Sequence, residues 1–177
     1  FVDMTGRNPF AFQYDPKYHE SEEVKKRVGL PVIISIDFNL NPFAVIFSNI
    51  WKDAFGLHDH TFDEAAIQNG SIPAMIDLIK ERYYHDLPNC LMTGDVGGNN
   101  QQLSLADRAS FFMQLKSGLR LKDRQIMTPR PPTHYVSRND VNYILFHSKK
   151  DPPDLDMKIN PKKCPQLCRD MIAVQAD

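Results

Sequence analysis

Two short apolar runs in this chain each end in an aspartate: Val32-Ile33-Ile34-Ser35-Ile36-Asp37-Phe38-Asn39 and Cys90-Leu91-Met92-Thr93-Gly94-Asp95-Val96-Gly97-Gly98-Asn99. An apolar, β-branched run predicts a strand that wants burial. The acid at its end cannot follow it into the core, because an unpaired buried carboxylate is very costly. If the two strands lie side by side, both carboxylates meet at one edge of the sheet. They repel each other there unless a divalent cation sits between them. The pattern therefore points first to metal-dependent phosphoryl transfer.

The rest of the composition bounds that idea. The chain has 177 residues, 42% hydrophobic and 24% charged, which suits one globular domain with a proper core. No apolar run reaches transmembrane length, and no signal peptide is evident, so no membrane partner is expected. Three cysteines do not make a disulfide framework and fit a reducing compartment. The net charge of −1 gives no global basic field, although charge can still be segregated to one face. The chain starts at Phe1 and stops at Asp177 just after a helical pattern, and is expected to be a piece of something longer. Residues 1–29 carry turn signals and then charge, and predict a linker or arm; residues 30–177 predict the domain itself.

Within the domain, strands are predicted at about 31–38, 43–51 and 58–67, with short links that make an antiparallel meander. Ser71 and Pro73 predict the start of a helix with Ile72, Met75, Ile76, Ile79 and Tyr83 on one face. A fourth strand follows at about 90–95. Ser104 to Asp107 reads as a capping box for a helix whose apolar face is Leu105, Ala109, Phe112, Leu115 and Leu119. A fifth strand is predicted at about 124–128. Ser137 to Asp140 reads as a second capping box, and a short strand at Met157 to Asn160 leads to a last helix from Pro161 to Val174. The order β-β-β-α-β-α-β-α is the ribonuclease H-like α/β arrangement: a mixed central sheet, an antiparallel meander followed by α/β crossovers, and helices on both faces. In that fold the first and fourth strands are neighbours, which would bring Asp37 and Asp95 together.

Phosphodiester hydrolysis needs a strong nucleophile from water and relief of charge on the leaving oxygen; two metal ions about 4 Å apart supply both. Mg²⁺ or Mn²⁺ prefers carboxylate oxygens. Taken singly, Asp37 reads as a strand-end acid and Asp95 as part of a Gly-Asp turn. At matching ends of adjacent strands they favour metal. Asn39, Gly97 and Gly98 would keep the rim open. Glu64, beside Asp63, is either a third carboxylate or part of an exposed pair. Asp140 is either a further ligand or a helix-capping residue, and capping is the reading its position favours. Asp107 reads as a cap, and Asp170 faces either way. Cys164 and Cys168 lack partner ligands at zinc spacing and read, with Cys90, as buried thiols. His58 and His60 alternate on a strand, more simply as a surface pair than as ligands. Basic residues gather in the second half, and Lys116, Arg120, Lys122, Arg124, Arg130 and Arg138 are candidates to track a DNA backbone. No Walker A sequence and no Gly-x-Ser-x-Gly is present.

Several of these segments resemble the nuclease domain of tailed-bacteriophage terminase large subunits. Ile36-Asp37-Phe38-Asn39-Leu40-Asn41-Pro42 is similar to the first catalytic strand of that family. Thr93-Gly94-Asp95-Val96-Gly97-Gly98-Asn99 resembles its second acidic motif. Ser137 to Asn142 with Ile144-Leu145, Ile159-Asn160-Pro161 with Cys164 and Leu167, and Arg7 to Phe12 with Asp15-Pro16 resemble later and linker segments in the same order.

The resemblance implies an endonuclease that cuts concatemeric double-stranded viral DNA with two divalent metals, Mg²⁺ or Mn²⁺. It implies an upstream ATPase domain, a portal and a small terminase subunit as partners, and action in the host cell cytoplasm during transient docking on the procapsid. It further implies a third metal-binding acid on a later helix, expected beyond Asp177. Other ribonuclease H-like nucleases, such as resolvases or transposase-type recombinases, remain alternatives. So does a DNA-binding module that does not use the acids.

Overall fold

The computed structural model describes residues 8–38, 41–94, 110–127, 133–151 and 153–175. Five strands form one mixed sheet: β1 (Ile33–Asp37), β2 (Phe43–Asp53), β3 (Gly56–Ile67), β4 (Leu91–Gly94) and β5 (Leu155–Ile159), in the order β4-β1-β2-β3-β5. The helices are α1 (Pro16–His19), α2 (Ile72–Tyr83), α3 (Phe111–Leu119), α4 (His134–His147) and α5 (Pro165–Ala173). β1 runs antiparallel to β2, with Asp37 opposite Ala44, and parallel to β4, with Ile36 opposite Gly94. The expected adjacency of the first and fourth strands is thus present. The chain divides into two compact units. One comprises residues 1–25, 50–62 and 132–177, the other 26–49 and 63–131.

The unit that carries β1 and β4 is built on alternation along β1 and the first half of β2. Ile34 and Ile36 of β1, Phe43, Val45 and Phe47 of β2, and Met92 of β4 are buried. α2 covers this face. Ser71 caps it by accepting from the Ala74 N–H at 3.4 Å, Pro73 sits in its first turn, and Met75 and Ile79 are fully buried. Tyr83 lies on Phe47 with ring centroids 4.3 Å apart, and its hydroxyl donates to Asp63 at 2.8 Å. Phe38, just past β1, packs edge-on to Phe112 at 4.9 Å and stacks on Phe111 at 5.6 Å, which ties the strand end to α3. Burying a set of side chains of this size stabilises by roughly 1.5–3 kcal/mol each.

Three local expectations are corrected. The segment predicted as a fifth strand at 124–128 instead makes a single turn of 3₁₀ helix, Asp123–Gln125, followed by one parallel bridge from Ile126 to Met92. The cause is Gln125. Its side chain is buried, donates to the carbonyls of Leu87 (2.8 Å) and Cys90 (2.9 Å), and accepts from the Lys122 N–H (3.0 Å), which curls the chain. α4 starts at His134, capped by Thr133 accepting from Val136 N–H, so Ser137 lies inside the helix rather than at its cap. Asp140 is therefore the seventh residue of α4 and is exposed, not a third-position capping residue. The capping box expected at Ser104 to Asp107 lies outside the described residues; α3 itself is capped by Ser110.

In the other unit, β5 runs parallel to β3, with His58 opposite Asp156 and Thr61 opposite Ile159. Ile159, Cys164 and Cys168 form its core with Tyr14, Met157, Leu167 and Met171. Residues 8–24, the latter part of the expected arm, are hydrogen-bonded into this unit. Asn142 accepts from the Gln13 N–H and donates to the Phe10 carbonyl, both at 2.8 Å. His19 is completely buried. Its Nδ1 accepts from the Asp15 N–H, so Nε2 carries the proton and donates to the Leu145 carbonyl, each at 2.9 Å. The three cysteines are buried, as expected; burial pushes the Cys90 thiol up to about 11. No described helix is long and apolar enough to cross a membrane.

Candidate functional site

Asp37 is the last residue of β1 and is exposed, while Ile36 before it and Phe38 after it are buried. The strand thus delivers its carboxylate outward at the point where the apolar run ends. A cleft of about 400 Å³ opens along the face of β1 that bears Ser35 and Asp37, with Ala44 and Ile46 of β2 and Thr93 and Gly94 of β4 also in its lining. Ser35 pairs with Thr93 and Ile36 with Gly94. Gly94 is required by close approach: a Cβ there would lie 2.5 Å from the Ile36 carbonyl oxygen and 2.8 Å from the Phe38 ring. A hard carboxylate beside small side chains in an open cleft is the donor chemistry that suits Mg²⁺ or Mn²⁺.

Asp95, with Asn39, Gly97, Gly98, Asn99, Asp107 and Arg130, lies outside the described residues. Glu64 is half-buried on β3, which β2 separates from β1 in the sheet, and its carbonyl accepts from Arg82 Nη1 at 3.0 Å. Its neighbour Asp63 is taken up structurally by Arg82 (3.0 Å) and Tyr83 (2.8 Å). Asp140 and Asp37 belong to different compact units. Asp170 is exposed and accepts from Gln166 at 2.7 Å.

The basic candidates divide between the two units. Lys116 and Arg120 line a shallow groove of about 370 Å³ at the end of α3, with Lys122 and Arg124 exposed just beyond. Lys116 also pairs with Asp123. Arg138 is engaged otherwise. It donates to Asn8 Oδ1 (2.6 Å) and the Pro9 carbonyl (3.0 Å) and lies over the Phe12 ring at 5.2 Å.

A second cluster was not legible as such in the sequence. His58 and His60 do share a face of β3, but they are largely shielded, and both converge on Asp156 of β5. His58 Nδ1 is 3.0 Å and His60 Nε2 2.8 Å from the same oxygen, Oδ2. His60, with help from His58, holds the Asp156 carboxyl down at about 2 against the opposing effect of burial. Only the parallel register of β3 with β5 places Asp156 opposite His58. The alternation of the two histidines was the one sequence signal available.

The sheet order, with parallel β1 and β4 beside an antiparallel β1-β2 pair, defines a ribonuclease H-like domain. Among solved structures its fold is that of the nuclease domains of phage large terminases. The SPP1 large terminase (g2p) nuclease domain, solved with bound Mn, matches with a TM-score of 0.53 at 14% identity, over 90% of this chain and 79% of that one. The P22 large terminase nuclease domain matches at 0.60 and 12% identity, over 94% and 79%. The large terminase of a thermophilic bacteriophage, in complex with ATP-γ-S, matches at 0.65 and 14% identity over 97% of this chain, which spans only 38% of that longer protein. No family model and no curated protein matches the sequence.

Proposed function

We propose that this chain is the metal-dependent endonuclease domain of a phage terminase large subunit, acting on concatemeric double-stranded DNA. The observation that carries the reading is the parallel pairing of Ile36 with Gly94, because the residues that follow these two in the chain are Asp37 and Asp95. The shared fold and the Mn bound to the SPP1 domain support it. Asp37 and Asp95 are the residues that would hold Mg²⁺ or Mn²⁺, and Glu64 is the further carboxylate of the same compact unit that the sequence offers. Two such ions supply an activated water and relieve charge on the leaving oxygen.

The chain's own residues do the rest. Ser35, Ala44, Thr93 and Gly94 leave room for a sugar-phosphate backbone at the Asp37 end of the cleft. The basic stretch from Lys116 to Arg124 would track phosphates without reading sequence. An upstream ATPase domain, a portal, a small terminase subunit and the host cytoplasm complete the proposal.

Plasmid nicking in Mn²⁺ is the test. Asp37→Ala and Asp95→Ala are each expected to abolish cleavage, as is chelation of the metal. Cleavage that persists undiminished in both variants removes the two-acid site.

A further inference from the structure

We propose that His58, His60 and Asp156 form a second cation site, a tetrahedral transition-metal site suited to zinc that clamps β3 to β5. It is independent of the nuclease reading. The backbone builds it directly: strand alternation puts His58 and His60 on one face, and the register sets Asp156 opposite His58. One atom from each residue lies within 4.8 Å of the others. A tetrahedral ion with ligands at about 2.1 Å needs separations of about 3.4 Å, so small side-chain shifts suffice.

The hydrogen-bond geometry of His58 is compatible with a metal ligand. His58 stands between two carboxylates, with Nδ1 3.0 Å from Asp156 Oδ2 and Nε2 3.0 Å from Asp53 Oδ1. A neutral imidazole has one N–H and can satisfy only one of them. The other nitrogen must carry either an additional proton or a metal. With the proton on Nε2 and donated to Asp53, the Nδ1 lone pair faces the cluster. This is the carboxylate–histidine–metal relay that fixes tautomer and ring orientation in metal sites. His60 Nε2 points to the same Asp156 oxygen, at 2.8 Å.

The rings are also held in place. Trp51 stacks on His58 with centroids 4.5 Å apart and planes 5° apart, and meets His60 edge-on at 4.7 Å. Its indole N–H donates to Asp53 at 3.3 Å. Lys158 lies 3.7 Å from Asp156 Oδ1, the oxygen the histidines do not use, and donates to the Tyr18 carbonyl. Side-chain exposures of 13% for His58 and 16% for both His60 and Asp156 shield the site but leave a solvent path for a water as fourth ligand. Two imidazoles with one carboxylate select zinc or its neighbours over Mg²⁺ and Mn²⁺. Metal choice thus separates this cluster from the Asp37 cleft.

The test is titration of the metal-stripped chain with Co²⁺, followed by displacement with Zn²⁺. One equivalent of Co²⁺ should give a tetrahedral visible spectrum with no thiolate charge-transfer band, and Zn²⁺ should bleach it. His60→Gln and Asp156→Asn should remove the band. Asp53→Asn should weaken binding by about 10- to 100-fold. Asp37→Ala should leave it intact, whatever its effect on cleavage. A wild-type chain that fails to take up one equivalent overturns the site without reference to any variant. So does a band that survives in folded His60→Gln.

Discussion

Ile36 and Gly94 are direct partners across the parallel β1–β4 pair, and the backbone at Gly94 comes so close that an added Cβ would lie 2.5 Å from the Ile36 carbonyl oxygen. Gly94→Ala is therefore expected to push the two strands apart at the end that carries Asp37. Overpacking of this kind costs roughly 1–3 kcal/mol. Chemical denaturation should show the loss, and nicking should fall by more than the unfolded fraction accounts for.

On the proposed reading, Asp37 serves the chemistry of the cleft. It is exposed at the strand end, and surface substitutions of this type usually change stability by less than about 0.5 kcal/mol. Asp37→Asn should keep the wild-type denaturation midpoint while cleavage disappears. A large stability loss in this variant would assign the carboxylate a structural role instead.

Asn160 pins the N-terminal segment to the end of β5. Its side chain donates to the Val24 carbonyl at 2.9 Å and accepts from the Lys162 and Lys163 N–H groups at 3.0 and 3.1 Å. Asn160→Ala strands buried polar groups, at about 1–3 kcal/mol. Limited proteolysis should then cut between residues 8 and 24 well before it cuts the wild type.

His19 makes stability depend on pH. Burial is the main cause that lowers its pKa from the ordinary histidine value. The folded state thus binds a proton less readily than the unfolded state. The sign follows: its contribution is complete above about pH 6.5 and is lost as the pH falls below it. Urea midpoints measured from neutral to mildly acidic pH should decline, and His19→Gln should flatten that decline even if it lowers stability throughout.

The basic residues should separate by location. Neutralising Lys116 and Arg120 together should weaken DNA binding and reduce its salt slope by about 0.9 for each phosphate that these side chains neutralise. Arg138→Ala should chiefly loosen the hold on Asn8 and Pro9. An equal change in salt slope from Arg138→Ala would put that residue on the DNA as well.

Periodicity alone was enough for the apolar skeleton. The alternation in β1 and β2, the buried face of α2 and the Phe112-Leu115-Leu119 stripe of α3 follow from which side chains must leave water, and that requirement is written locally. The outward delivery of Asp37 was legible for the same reason: an ionised carboxylate stays in water when its strand enters the core. Tertiary structure decided what depends on partners distant in sequence. Gln125 turned an expected strand into a 3₁₀ turn because its amide found the carbonyls of Leu87 and Cys90. Arg138 was drawn to the N-terminal segment by Asn8 and Pro9. His58 and His60 became more than an alternating pair only when β5, about a hundred residues later, set Asp156 between them. Burial is a property of each residue and its near neighbours, whereas the pairing of polar groups belongs to the register of strands that no local pattern encodes.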